Sequence, residues 1–412
     1  MRRLLLRAPC LLVDSRTWVD DGALLVEAGR VARIVRGPAA VRRASRSARS
    51  VDCGDVLLAP GWVNAHAHLE LGALAGRTPR GGDFGAWVRA VLQARAACTS
   101  ADFERAVALG ARASLEAGVS AVADICSTTG FVRGLGRTPL RHWALREVLD
   151  AHNPSRTAGA LALVRRALRP SARRAEGLSP HAPFTVSPEL FSAAAAVARR
   201  RKLPVAVHWS ETDAEVAWLE RGAGPLAALL GPSPRRRGLE FIERAGLLRA
   251  PLALIHGNHP ARGEPQRIAS SGAVVVHCPG SHAWFERAPF PWRRYLDAGV
   301  RLALGTDSLA SSESLDLGRE LRLARAAAPW LEPRVLFEMA TEGGALALGQ
   351  RGRLGTLAPG AHADVLAHAL RAPNARAALE HLTGVGARLA SVWIAGRCVV
   401  RGGALAHSGE AR

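Results

Sequence analysis

Apolar runs that stop at a histidine or an aspartate recur along this chain, and no other feature limits its fold as tightly. The first, Val56-Leu57-Leu58, reaches Pro60-Gly61 and delivers His66 and His68, two residues apart. Alternate side chains of a β-strand share a face, so both imidazoles leave the strand's end in the same direction. Later runs repeat the pattern: Val205-Ala206-Val207 ends at His208, Leu254-Ile255 at His256, and Leu302-Ala303-Leu304 leads through Gly305-Thr306 to Asp307. His-x-His alone is a weak signal, and a lone strand-end histidine is commonly a satisfied structural residue. In series, these residues predict strand ends converging on a borderline-soft divalent metal, which neutral imidazoles and a carboxylate suit.

Strand-like runs end near His68, Cys126, Glu147, His181, His208, His256, His277 and Asp307. Ala/Leu/Arg-rich helical windows lie among them at 102–117, 188–202 and 261–271, and further ones follow at 315–328 and 333–347. Such alternation argues for parallel βα units. Eight of them over residues 58–349 predict the α/β class, a TIM-like (β/α)8 barrel whose chemistry sits at the C-terminal ends of its strands. Residues 1–57 and 350–412 read instead as short strands, such as Leu4-Leu5-Leu6, Ala23-Leu24-Leu25-Val26 and Ser391-Val392-Trp393-Ile394. Neither end can close a core alone, so the two are expected to form one small β-sandwich domain beside the barrel.

The 412 residues are 48% hydrophobic, a globular composition long enough for two or three domains. No apolar run approaches the ~20 residues of a membrane span. The opening Met1-Arg2-Arg3-Leu4-Leu5-Leu6-Arg7 starts like a signal peptide, but Arg7 and then Asp14 break the apolar stretch, and a first β-strand fits better. Six scattered cysteines without a Cys-x-x-Cys predict reduced thiols and a cytoplasmic protein. The net charge of +20 is almost wholly arginine, with Lys202 the only lysine. Its clusters, among them Arg199-Arg200-Arg201-Lys202 and Arg235-Arg236-Arg237, lack interleaved aromatics. They read as a solvated surface with nonspecific attraction for polyanions, not as a specific nucleic-acid interface. A catalytically inert polyanion-binding protein is the alternative that charge leaves open. The expected partner is a small molecule, and a homodimer is left open.

His208 is the expected third imidazole ligand. Glu211, three residues on, is placed to move protons between attacking water and leaving group; otherwise it is a carboxylate favoured by a helix N-terminus. His256 reads as a base beside the site or a fourth imidazole, and His259 as a loop residue. Asp307 is expected to bind metal and accept a proton from water. Three histidines and an aspartate leave a position open, as catalytic sites require, and a bound ion would pull the pKa of water from 15.7 towards ~7. A carboxylated lysine could bridge two ions, but Lys202 precedes the strand 204–208 and lies at the opposite mouth. One ion is therefore expected, unless a carboxylate substitutes for the bridge.

With these residues assembled, the chain resembles the amidohydrolase superfamily, in its cytosine-deaminase-like and chlorohydrolase branch. The resemblance runs through Gly61–His68, Ser179-Pro180-His181-Ala182-Pro183-Phe184-Thr185-Val186-Ser187, His208–Glu211, His256 and Gly305–Asp307. It implies His66, His68, His208 and Asp307 as ligands of Zn, or alternatively Fe, with Glu211, His256 and Asp307 handling protons. It also implies His181 as a substrate contact. His68-Leu69-Glu70-Leu71, Phe84, Trp87 and Arg146-Glu147 resemble the aminodeoxyfutalosine deaminase group, which makes Glu70, Trp87 and Arg146 candidates for holding a purine or ribose. Two segments depart from the branch. His282 ends His277-Cys278-Pro279-Gly280-Ser281-His282 where relatives usually carry Asn, and Ser311-Ser312-Glu313-Ser314 follows the aspartate where Asn is also common. The implied activity is hydrolysis of a non-peptide C–N bond, most simply deamination of an aminated heterocycle such as an adenine nucleoside derivative. Chlorohydrolysis, or attack on a cyclic amidine or amide, is the alternative on the same site.

Overall fold

The protein is described from a computed structural model covering residues 3–406 apart from 82, 137, 168–170, 172, 250, 386 and 387; the last six residues of the C-terminal segment lie outside it. Eight parallel strands follow one another in chain order: Trp62–Ala67, Val119–Cys126, Arg141–Val148, Arg174–Pro180, Val205–Trp209, Leu252–His256, Val274–His277 and Arg301–Leu304. They are called barrel strands one to eight below. A parallel bridge between Ala67 and Asp307 brings the eighth back to the first. There the backbone N–H groups of Thr306 and Asp307 both donate to the His66 carbonyl, and Asn64 Nδ2 donates to Thr306 Oγ1 at 2.8 Å. This is the expected (β/α)8 barrel.

The strands are buried on both faces, which is why they read as continuous apolar runs rather than alternating ones. Small side chains (Ala65, Ala121, Ala123, Ala206, Ala253, Ala303) interleave with Val63, Ile125, Leu145, Ile255 and Val276 in one cluster. That mixture of small and branched residues fills a barrel interior. The alternate residues Val205, Val207, Trp209, Leu252 and Leu254 join a second, larger cluster with the surrounding helices. The helices start at their caps. Thr99 and Asp102 form a reciprocal capping box for Ser100–Glu116, and Ser187 caps Pro188–Arg201 with Pro188 in the first turn.

The 333–347 window is interrupted. An α-helical stretch, Pro333–Glu338, passes into a π turn, Met339–Gly343, before Gly344–Ala347 resumes. Here the backbone presses on two strands: a Cβ on Gly343 would stand 2.3 Å from the Leu302 carbonyl oxygen, and one on Gly344 2.3 Å from that of Val63.

The chain ends build a single hydrogen-bonded sheet of nine strands. Its order runs Ala404–Leu405, Arg397–Arg401, Leu389–Ile394, Val365–His368, Leu57–Pro60, Leu4–Leu12, Trp18–Glu27, Arg30–Arg36, with Arg49–Asp52 also paired to Leu4–Leu12. The two expected layers are therefore continuous. The sheet curls until its halves share one core containing Leu6, Leu24, Val26, Val365 and Trp393. Leu57–Pro60 belongs to this sheet, and the chain crosses into the barrel at Gly61, where a Cβ would lie 2.3 Å from Ser120 Oγ. All six cysteines are unpaired, and no helix among the described residues is long and apolar enough to cross a membrane.

One buried ion pair ties barrel to sheet. Arg141, at the start of barrel strand three, donates from Nε and Nη2 to the two carboxylate oxygens of Asp364 at 2.6 and 3.1 Å. Asp364 also accepts the Ala395 N–H. Removing one partner leaves a desolvated charge, so Arg141→Met should lower unfolding free energy by about 3–5 kcal/mol in denaturant titrations. Adding Asp364→Leu to that variant should recover much of the loss.

Candidate active site

At the C-terminal mouth of the barrel the strand-end histidines meet. His66 stands 4.9 Å from His68, 5.0 Å from His208 and 5.7 Å from His256 between ring centroids. His68 Nε2 and His208 Nε2 are 3.3 Å apart. Asp307 Oδ1 lies 3.5 Å from His66 Nε2 and 4.0 Å from His68 Nε2. Ligand atoms of His66, His68 and His208 lie within 4.8 Å of one another, as do those of His66, His256 and Asp307.

This arrangement fits a metal ion better than a network of hydrogen bonds. His66 is fully buried, yet neither ring nitrogen has a hydrogen-bond partner, a costly state for a polar group. Two nitrogens on one tetrahedral ion at ~2.0–2.1 Å would stand roughly 3.3 Å apart, as His68 and His208 do. Burial also keeps three of the imidazoles neutral. Burial, reinforced by neighbouring imidazoles, lowers His68 to about 3 and holds His208 well below the usual histidine range. His256 is likewise held well below that range by burial, despite the opposing charge of Asp307. Burial alone would raise Asp307, but the imidazoles of His66, His256 and His68 outweigh it and keep its carboxyl well below the usual carboxylate range. Neutral imidazoles and an ionised carboxylate are the protonation states that bind metal.

The converging side chains are also aimed. His208 hydrogen-bonds through Nδ1 to the His181 carbonyl at 3.1 Å, leaving Nε2 for the centre. Asp124 Oδ1 accepts the N–H of Leu69, next to His68, at 2.8 Å. Ser210, His256 and Asp307 all adopt positive φ at strand exits, at 52°, 71° and 57°. Non-glycine residues hold that conformation at a cost, and it recurs where side chains must point into a site. Gly305 gives the room this needs, since a Cβ there would be 2.7 Å from His66 Cβ.

Glu211 lies beside this cluster, its Oε2 at 3.8 Å from His256 Nε2. Burial raises its carboxyl to about 7, with Arg287 pulling the other way. Its backbone is gripped from both sides: Glu215 accepts its N–H at 2.8 Å, and Asn258 Nδ2 donates to its carbonyl at 2.9 Å. His181 packs 4.8 Å from His208 between ring centroids, with Nδ1 on Thr185 Oγ1 at 2.6 Å, and burial lowers it to about 4.

Three other candidates are occupied elsewhere. The Glu70 carboxylate clasps the turn after barrel strand two, accepting from the backbone and hydroxyl groups of Ser127 and Thr128. Arg146 alternates with Leu145 on barrel strand three and turns outward. It donates to the carbonyls of Leu163 and Arg166 at the end of the helix Pro154–Arg165 and approaches Glu176 at 3.5 Å. Trp87 stacks on Phe84, meets Phe285 edge-on, and spends its N–H on the Ala310 carbonyl at 2.9 Å. His277 lies away from the cluster, stacked 4.0 Å from Phe290.

Sequence reading missed Arg287, which donates from Nη2 to Glu211 Oε1 at 2.9 Å across 76 residues of chain. It missed Asn258 as well. The departure at His282 turns out to belong here: its Nδ1 meets Asn258 Oδ1 at 3.2 Å, and Asn258 in turn holds the Glu211 backbone.

Comparison with known proteins agrees with this architecture. A 5-methylthioadenosine/S-adenosylhomocysteine deaminase of Nitratidesulfovibrio vulgaris is 31% identical over 90% of this chain and 85% of its own. An aminodeoxyfutalosine deaminase of Deinococcus radiodurans is 31% identical over 79% and 81%. The crystal structure of a zinc-bound adenosine deaminase from Xanthomonas campestris superposes with a TM-score of 0.82 at 23% identity, covering 98% of this chain and 94% of that one. The sequence model of the amidohydrolase family matches residues 57–399, and the chain belongs to that family.

Proposed function

We propose that this enzyme hydrolytically deaminates an adenine nucleoside derivative, using one zinc ion held by His66, His68, His208 and Asp307. The observation that carries the reading is a carboxyl group raised to about 7, Glu211, beside a buried set of converging imidazoles. The deaminase names of relatives 31% identical over most of the chain support the adenine nucleoside as substrate class. The six unpaired cysteines support a reducing, cytoplasmic setting.

When bound, the ion lowers the pKa of water at the site and so supplies a nucleophile at neutral pH. Glu211 protonates the ring nitrogen next to the amino-bearing carbon, which prepares that carbon for attack. His256 and Asp307 take one proton of the attacking water and pass it on to the amino group, which leaves as ammonia, while Glu211 recovers its proton from the added hydroxyl as that oxygen becomes the product's carbonyl. His181 lines the purine's approach. Glu70, Trp87 and Arg146 act one step further out in this proposal: Glu70 orders the loop after barrel strand two, Trp87 the aromatic wall, and Arg146 the strand-three exit.

Purified enzyme should release ammonia from 5′-substituted adenosines, with conversion to the inosine analogue visible in the ultraviolet. Cytosine and guanine should give none, and chloride release from a chlorotriazine in its place would favour the chlorohydrolase alternative. Glu211→Gln should keep its metal and lose roughly 10²–10⁴-fold in kcat, the usual size of a general acid–base contribution. Metal analysis should find one zinc per wild-type chain and a large deficit in His66→Ala; two ions per chain would contradict the single-ion reading.

A further inference from the structure

Glu211 has its backbone fixed on both sides, by Glu215 and Asn258, but its side-chain torsions are left to its carboxylate contacts. The two oxygens are used differently. Oε1 accepts from Arg287 Nη2 at 2.9 Å, while Oε2 faces the His256 ring at 3.8 Å. Arg287 is itself built in. Its side chain is only 11% exposed, and its guanidinium lies 4.6 Å over the Phe285 ring. Phe285 meets Trp87 edge-on at 5.3 Å and Phe84 at 6.1 Å. An aromatic platform thus carries one arginine, and that arginine holds one oxygen of one carboxylate.

The geometry points to Arg287 as a positioning residue: by anchoring Glu211 Oε1 it turns Oε2 towards the reacting atoms. This inference rests on the deaminase reading above. It gives Trp87 a part in the platform under Arg287 in place of a direct hold on the substrate. It also makes Arg287 a group that acts through Glu211, so its removal should change turnover and not substrate affinity.

Steady-state kinetics on Arg287→Ala, Arg287→Lys, Glu211→Gln and the Arg287→Ala/Glu211→Gln double variant test this, each with metal content measured. Arg287→Ala should keep its metal and its KM and lose about 10–100-fold in kcat, the scale on which misplacing a reacting group by about 1 Å acts. Arg287→Lys, which keeps a charged donor, should restore part of the loss. In the Glu211→Gln background the same Arg287→Ala change should have little further effect. An unchanged kcat, a rise in KM alone, or an equal loss in both backgrounds would each overturn the assignment. Should wild-type enzyme release ammonia from none of the nucleosides, the deaminase reading fails on its own. The crystal structure of Arg287→Ala then decides the positioning role: it holds if the Glu211 carboxylate leaves its place and falls if the carboxylate stays.

Discussion

The active end of this molecule depends on a convergence of lone pairs that the protein cannot satisfy by itself. His66 is buried with both ring nitrogens unpartnered, and burial keeps His68, His208 and His256 neutral around it. Packed apolar or hydrogen-bonded side chains would be more stable there, so the arrangement makes physical sense only with a cation at its centre. Closure of the barrel maintains it. The His66 carbonyl accepts the N–H groups of Thr306 and Asp307, so the hydrogen bonds that join the first strand to the eighth also set the His66 ring beside the Asp307 carboxylate.

Glu211 shows how the same wall shifts the acidity of a carboxyl group. It follows the His208 strand after a left-handed Ser210, and it is held by Glu215, Asn258 and Arg287, which arrive from three different segments. Desolvation raises its carboxyl and Arg287 opposes that. The outcome near 7 is burial prevailing over the arginine. A poise of this kind suits a group that must both give and take a proton near neutral pH.

The barrel and the residues gathered at its mouth were legible because parallel strands buried on both faces leave unbroken apolar runs, and a histidine or aspartate at the end of such a run stands out. Polar residues at strand exits were less legible. Arg146 and Glu147 are neighbours, and alternation sends them to opposite faces, so a residue's place in the pair decides whether it can reach the mouth. Glu70 sits two residues past His68 yet bends back to a turn whose hydroxyls, on Ser127 and Thr128, carry no pattern in the sequence. Arg287 was invisible because nothing local marks a loop arginine as the partner of a carboxylate 76 residues earlier. The single curled sheet was hidden for a related reason: strand pairing between residues 57–60 and 365–368 is a matter of topology, which short apolar runs do not encode.

That pairing bears on how the molecule comes into being. Leu57–Pro60 lies between Leu4–Leu12 on one side and Val365–His368 on the other. During synthesis the strand that leads into the barrel must wait, with one edge bare, until Val365–His368 has left the ribosome. Contacts of such long sequence separation form late and slowly, and an unpaired edge is a template for the wrong partner. Nascent chains stalled before residue 365 should therefore be the form most in need of chaperones.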